Sequence, residues 1–223
     1  MRTICDFFGV TESEMHMETS RLSEIMSLKR RQVLTPARHE PLAHLQCLYE
    51  HSAQLERYVG YYFRYHYSFS YPGSLIKSFA RISERDGRYY WHTVERIKHE
   101  GSFQKPVTSN YKGALFFLAD RIFVIEYHST LRNSITEMIL YPSYHTRIAH
   151  LIGIQTGAAS VRGRRPAASR VLLEYLGQHI DVKKALRSVG LFHEGSGAIP
   201  PTIRELVRNQ ISDGSFVLEV SEV

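Results

Sequence analysis

The sequence predicts an α+β protein whose antiparallel β-meander closes into a barrel or half-barrel of about eight strands, with flanking N- and C-terminal helices. Three observations support this fold class. The segment from Tyr58 to Phe69 has a two-residue alternation, with aromatic residues at 61, 63, 65, 67 and 69 on one face, as in a half-buried strand. Short turn sequences such as Asp86-Gly87 separate the segments that follow. Between these segments there is no helical pattern of crossover length, so a parallel sheet is not expected.

Two helices are predicted before the sheet. Residues 18–32 place apolar side chains at helical spacing among charged ones, and residues 40–58 carry a stripe of leucines. Two prolines in the stretch 33–41 separate the two helices. Because each helix has an apolar stripe, we expect one of them to pack against its mate in a homodimer.

The sheet is predicted to begin at residue 58 and to be followed by further helices. The expected strands are 58–69, 75–85, 88–98, 111–118, 122–127, 133–141, 147–156 and 168–176. After them, Asp181 is positioned to cap a helix over 182–189, and Thr202 with Glu205 forms a capping box for a helix over 203–211. A last strand is expected over 216–220.

Composition is that of an ordinary globular protein, with 43% hydrophobic and 22% charged residues. The sequence contains no apolar run long enough to span a bilayer and no signal-peptide pattern, so a cytoplasmic location without membrane contact is expected. Cys5 and Cys47 are far apart and predict neither a disulfide framework nor a zinc site. The net charge of +6 is compatible with an anionic partner such as nucleic acid.

The first strand has two different faces. One face is aromatic and includes Phe63 and Tyr65, whereas the other carries Tyr62, Arg64 and His66. If helices cover the aromatic face, the second face lines the barrel interior, where a buried arginine would bind a carboxylate or phosphate. The alternative is that the polar face is solvent-exposed and the aromatic face fills the core.

Two further segments could contribute to a ligand site. Tyr90 and His92 flank the only tryptophan and could form part of a pocket, although a core tryptophan beside surface residues is the simpler interpretation. Arg164 and Arg165 lie in a basic loop that could hold an anion at a barrel mouth or contact DNA, or could simply be solvated. The predicted guest is an anionic and partly apolar small molecule. The predicted ligand-binding residues are Tyr62, Arg64, His66, Tyr90, His92, Arg164 and Arg165.

Sequence motifs do not support an enzyme. The twelve histidines lack metal-ligand spacing, and there is no nucleophile elbow, P-loop or dinucleotide fingerprint. We therefore expect no catalytic residue, no metal and no cofactor. An enzyme built on a barrel scaffold remains the least favoured alternative.

The N-terminal segment from Thr3 to Met15 combines an aromatic helix end, a glycine turn at Gly9 and a capping box formed by Thr11 and Glu14. This segment resembles the end of lambda-repressor-like, XRE-type helix-turn-helix domains. The resemblance implies a bacterial transcriptional regulator that binds DNA through a helix-turn-helix domain mostly upstream of Met1, and that forms homodimers. By itself this chain is then expected to bind DNA weakly and without sequence preference.

The resemblance also predicts a division of the chain. Residues 1–17 would be the remnant of the helix-turn-helix domain, 18–57 a helical linker and dimerisation segment, and 58–223 a β-rich ligand-sensing domain. The alternative is a stand-alone small-molecule-binding barrel in which residues 1–16 only look like a helix-turn-helix. Further coding sequence upstream of Met1 with a helix-turn-helix pattern would distinguish the two.

Overall fold

The computed structural model describes residues 41–97, 105–160 and 162–221. The helix-turn-helix remnant, the helix predicted over 18–32 and the linker up to residue 40 lie outside the described residues. The chain divides into two compact units, 1–47 and 48–223, and the whole sheet belongs to the second.

Nine antiparallel strands are described, together with three α-helices and two short 3₁₀ turns. The strands are β1 (Gly60–Tyr67), β2 (Ser74–Arg85), β3 (Arg88–Ile97), β4 (Val107–Leu118), β5 (Arg121–His128), β6 (Ile135–Leu140), β7 (His150–Ala158), β8 (Pro166–Gly177) and β9 (Gly190–His193). The helices are α1 (Pro41–His51), α2 (Val182–Arg187) and α3 (Pro201–Leu206), and the 3₁₀ turns are Glu56–Tyr58 and Arg162–Arg164. Among the described helices, none has the length and apolarity needed to cross a membrane.

The first eight strands form a closed barrel, as predicted. Each strand pairs with the next along the chain, β8 returns to pair with β1, and β1 also pairs with β2. On its other edge, the long strand β2 pairs with β9 near its start and with β3 from Phe79 onward. The short turns expected from the sequence therefore connect neighbouring strands and leave few unpaired edges.

Two glycines allow neighbouring strands to approach closely inside the sheet. A Cβ atom at Gly113 would lie 2.0 Å from the carbonyl oxygen of Ile125, and one at Gly153 would lie 1.9 Å from that of Ile139. Such distances are far inside van der Waals contact. Only glycine fits at these positions without moving the adjacent strand.

The aromatic face of β1 points out of the barrel and is covered by the C-terminal segments. Tyr65 packs in a buried cluster with Ile203 of α3, while Tyr61 and Phe63 contact a second cluster that includes Ala185 of α2. Because the aromatic face is covered from outside, the alternate residues of β1 point into the barrel. The interpretation in which the polar face of β1 is solvent-exposed is therefore wrong.

Several predicted boundaries in the flanking segments need correction. The helix expected over 40–58 ends at His51, and residues 216–220 form no strand, whereas the unexpected strand β9 pairs with β2. Asp181 caps α2 as predicted, its Oδ1 accepting from the Lys184 amide at 3.0 Å. Helix α3 instead begins at a proline, and its N-cap makes no side-chain hydrogen bond. The proline supplies a preformed φ at the first helical position, where no amide proton is needed.

Candidate functional site

The interior of the barrel has two chemically different ends. The apolar end is filled by the buried residues Tyr62, Ile82, Tyr89, Leu115, Val124, Met138, Leu140, Leu151 and Leu173. The polar end contains the buried side chains of Arg64, His66, Glu95, Glu126 and Gln155. Strand β1 contributes to both ends, since Tyr62 lies in the first and the next two inward-facing residues lie in the second.

Arg64 is the centre of a buried hydrogen-bond network. Its Nη1 atom lies 2.6 Å from Oε1 of Glu126, and both side chains are almost completely buried. Its Nε and Nη2 atoms donate to Oε1 of Gln155 at 3.2 and 2.5 Å. The guanidinium charge is thus balanced by a carboxylate, and each of its three nitrogen atoms has a partner.

The partners of Arg64 are themselves held in place. The indole Nε1 of Trp91 donates to the second carboxylate oxygen of Glu126 at 2.7 Å, and Nε2 of Gln155 donates to Oγ of Ser169 at 3.1 Å. Side chains from five strands therefore fix one another's orientation. A network satisfied in this way is rigid, which suits the floor of a binding site.

A second, less satisfied cluster lies beside this network. The Nδ1 atom of His66 lies 3.0 Å from the carbonyl oxygen of Tyr67, and its Nε2 lies 3.7 Å from Oε1 of Glu95. That second distance is too long for a hydrogen bond, and His66 Nε2 has no such partner among the described residues. The hydroxyls of Ser78 and Thr93 are also buried without a hydrogen-bond partner in the described part of the chain.

Glu95 is ionised in this environment. Burial raises the pKa of the Glu95 carboxyl, but interactions with His66, Arg64 and Tyr111 outweigh this effect, so the pKa lies below its ordinary value. The pKa of the Tyr111 phenol is raised by burial and by the nearby carboxylates of Glu95 and Glu126. Tyr111 therefore remains a neutral hydroxyl beside a charged carboxylate.

A cavity of about 330 Å³ opens at the polar end of the barrel. Its floor consists of charged and amide side chains, and its walls carry hydroxyls and rings. The lining includes Arg64, His66, Glu95, Tyr111, Glu126 and Gln155 at the floor, and Phe69, Ser109 and Arg164 around them. The volume is at the lower end of the range of about 300–1,000 Å³ typical of small-molecule sites.

A second cavity of about 510 Å³ lies at the opposite end of the barrel. Its carboxylates, Glu56 and Glu84, are exposed, and it lies next to the apolar side chains Tyr89 and Leu115. It lacks a buried charged group, so it is the weaker candidate despite its size. Among the described residues, no three histidine, cysteine or acidic side chains come together as potential metal ligands.

The structure brings together three of the seven predicted ligand-binding residues. Arg64 and His66 lie at the floor of the 330 Å³ cavity, and Arg164 lies at its rim, where it donates to the carbonyl of Asn133 at 2.5 Å. Tyr62 points inward, as predicted, but belongs to the apolar end, where its hydroxyl donates to the carbonyl of Tyr58 at 2.5 Å.

The remaining three predicted residues do not line the cavity. Arg165 is exposed, and Tyr90 and His92 lie on the outer face of β3, where Tyr90 is 39% exposed. The two-residue turn pairs Arg85 with Arg88, and this register turns Tyr89 and Trp91 inward. Because successive side chains of a strand point to opposite faces, Tyr90 and His92 point outward, which is the reverse of the prediction.

Three important residues were missed because each stands far in sequence from the side chains that it contacts. Glu95, Glu126 and Gln155 each occupy an inward-facing position, and Glu126 follows Ile122 and Val124 on the same face. An acidic residue on an otherwise apolar face was the available signal, but its partners are distant in sequence.

The sequence matches no family model, and no curated protein or solved structure matches it. The geometry of the polar end is therefore the basis for assigning a function.

Proposed function

We propose that the polar end of the barrel binds a small polar molecule, and that the chain is the ligand-sensing part of a bacterial transcriptional regulator. One observation carries the binding proposal: a buried network of charged side chains opens directly onto a cavity. Sites of this kind combine a concave shape with a few fixed polar groups that orient the ligand.

Stability alone does not explain this arrangement. A buried ion pair such as Arg64–Glu126 pays a large desolvation cost, and well-packed apolar residues of similar volume are often as stabilising. The apolar end shows that this barrel can be filled with ordinary side chains, including Met138 and Leu151. Buried charges beside a cavity are better explained by recognition of a ligand.

The regulatory part of the proposal rests on the resemblance of residues 3–15 to the end of a helix-turn-helix domain. It implies DNA binding through the upstream part of that domain, homodimerisation and an effector that shifts the equilibrium between two arrangements. A stand-alone ligand-binding barrel shares the cavity but not this segment. The reading frame upstream of Met1 separates the two, because only a regulator continues into further helix-turn-helix sequence.

Native mass spectrometry tests the binding proposal and the oligomeric state together. The wild-type protein is expected to retain a small molecule, or to acquire one from a metabolite mixture, and to have the mass of a dimer. Ser109→Trp places a large ring in the cavity and should prevent this binding. Thr108→Trp is the matched control, since the adjacent residue is exposed on the same strand.

Both variants must first give wild-type circular dichroism spectra. Binding that survives in Ser109→Trp as well as in Thr108→Trp would place the ligand elsewhere. If no compound in the mixture binds the wild-type protein better than it binds Ser109→Trp, the proposed function is wrong.

A further inference from the structure

We propose that the ligand of the 330 Å³ cavity carries a protonated amine, and that Glu95 is its anchor. This inference rests on the proposed function and specifies the chemistry of the ligand. It differs from the expectation drawn from the sequence, in which Arg64 selects an anion.

Arg64 is poorly suited to bind an anionic ligand. Its Nη1 atom already donates to Glu126 at 2.6 Å, and its Nε and Nη2 atoms donate to Gln155. An incoming carboxylate would have to displace Glu126, which Trp91 also holds. It would then approach two buried carboxylates, because Glu95 lines the same cavity.

The charge of Glu95 is less closely compensated than that of Glu126, since its contact with His66 spans 3.7 Å, against 2.6 Å between Arg64 and Glu126. At the cavity floor, Arg64 compensates Glu126, which leaves the negative charge of Glu95. The other charged residue described in the lining, Arg164, is exposed at the rim. When the His66 ring is neutral, the floor carries a net negative charge, which attracts a cation, whereas a protonated His66 would itself offset Glu95.

The orientation of His66 adds an acceptor to this charge. Its Nδ1 atom lies 3.0 Å from the carbonyl oxygen of Tyr67, and since a carbonyl can only accept, a ring proton lies on Nδ1. In the neutral ring, Nε2 is then an acceptor, and it is a buried atom without a hydrogen-bond partner among the described residues. The nearest Glu95 oxygen is 3.7 Å away.

This spacing fits a single ammonium group. Two acceptors 3.7 Å apart can both lie within hydrogen-bond distance of one nitrogen that has several protons to donate. The rings of Tyr111 and Phe69 line the same cavity and offer further faces to a cation. A carboxylate at this position would instead meet a carboxylate and an acceptor nitrogen.

Three probes that share a phenyl ring and a two-carbon chain test the charge preference: 2-phenylethylamine, 2-phenylethanol and phenylacetate. Isothermal titration calorimetry at neutral pH compares their affinities for the full chain. We expect the amine to bind at least about ten-fold more tightly than the alcohol or the carboxylate. Glu95→Gln, which keeps the side-chain shape, should remove this preference by weakening amine binding about ten-fold while leaving alcohol binding unchanged.

Glu56→Gln is the matched control, because it removes an exposed carboxylate at the opposite end of the barrel. It should bind all three probes like the wild-type protein. Circular dichroism of both variants establishes that they are folded.

The outcomes separate this inference from the proposed function. Equal or tighter binding of the alcohol or carboxylate, an unchanged amine affinity in Glu95→Gln, or no binding of the amine at millimolar concentration would each overturn the inference. In those cases the ligand-binding proposal still stands if Ser109→Trp abolishes binding of a compound that Thr108→Trp retains. If Ser109→Trp retains that compound too, both proposals fail.

Discussion

The two ends of the barrel interior are built by the same strands but contain opposite chemistry. In β1 the inward-facing sequence changes from Tyr62 to Arg64, and in β5 it changes from Val124 to Glu126. Each end adjoins a cavity, but among the described residues only the cavity at the polar end is lined by buried charged side chains. Strand closure alone therefore does not determine what a barrel does, because the identity of a few inward-facing residues decides whether its interior is core or site.

The two ends should also differ in what substitutions do. At the apolar end, burial of side chains such as Met138 contributes to stability in proportion to the apolar area removed from water. At the polar end, desolvation offsets much of the attraction between Arg64 and Glu126. We therefore expect substitutions at the first end to affect stability alone and substitutions at the second to affect ligand binding as well.

The largest effect is expected for Glu126→Ala. Removing this carboxylate leaves the Arg64 guanidinium buried without its counterion, which should lower the free energy of unfolding by about 3–5 kcal/mol. Urea denaturation followed by circular dichroism measures the change. The double variant Arg64→Met with Glu126→Leu should recover most of the stability but not ligand binding. A single variant within about 1 kcal/mol of wild type would show that the pair is not buried as described.

Met138→Ala tests the apolar end. The side chain is fully buried, so its truncation should lower the free energy of unfolding by about 3 kcal/mol through lost burial and the cavity left behind. The affinity of any ligand of the 330 Å³ cavity should not change. Weakened binding without a change in stability would contradict the separation of the two ends.

Trp91→Phe tests a residue that belongs to both ends, since Trp91 packs in the apolar cluster and donates to Glu126. The substitution keeps an aromatic ring but removes the donor to Glu126 Oε2, so a buried carboxylate oxygen loses its partner. A loss of about 1–3 kcal/mol in the free energy of unfolding is expected. Thermal unfolding measures it. An unchanged stability would indicate that the indole hydrogen bond makes no net contribution.

Glu95 predicts a pH dependence that belongs to the polar end. Its pKa in the folded protein is lowered, so its contribution to stability is present above the ordinary value of 4.5 and is lost as pH falls through the folded pKa. Below pH 4.5, wild-type stability should therefore fall more steeply than that of Glu95→Gln. Chemical denaturation at several acidic pH values measures both slopes, and parallel slopes would contradict the prediction.

Much of the barrel could be predicted from local patterns, whereas the site could not. Alternation in β1 and the turn at Asp86-Gly87 report on neighbouring residues, and both were correctly interpreted. The pairing of Arg64 with Glu126 joins residues 62 positions apart, and the sequence does not show it. The orientation of Tyr90 depends on a register that must be correct to one residue, which a pattern of consecutive aromatic residues does not specify.

The smallest effect is expected for Tyr90→Ala, which tests that register. Tyr90 is 39% exposed on the outer face of β3, whereas its neighbour Trp91 is buried inside the barrel. Truncation of a surface side chain away from buried networks should change the free energy of unfolding by less than about 0.5 kcal/mol. Ligand affinity should also remain at the wild-type value, because the 330 Å³ cavity is lined from the other face. A loss of binding in Tyr90→Ala comparable to that in Glu95→Gln would mean that β3 is shifted by one residue, which would turn Trp91 outward and return Tyr90 to the interior.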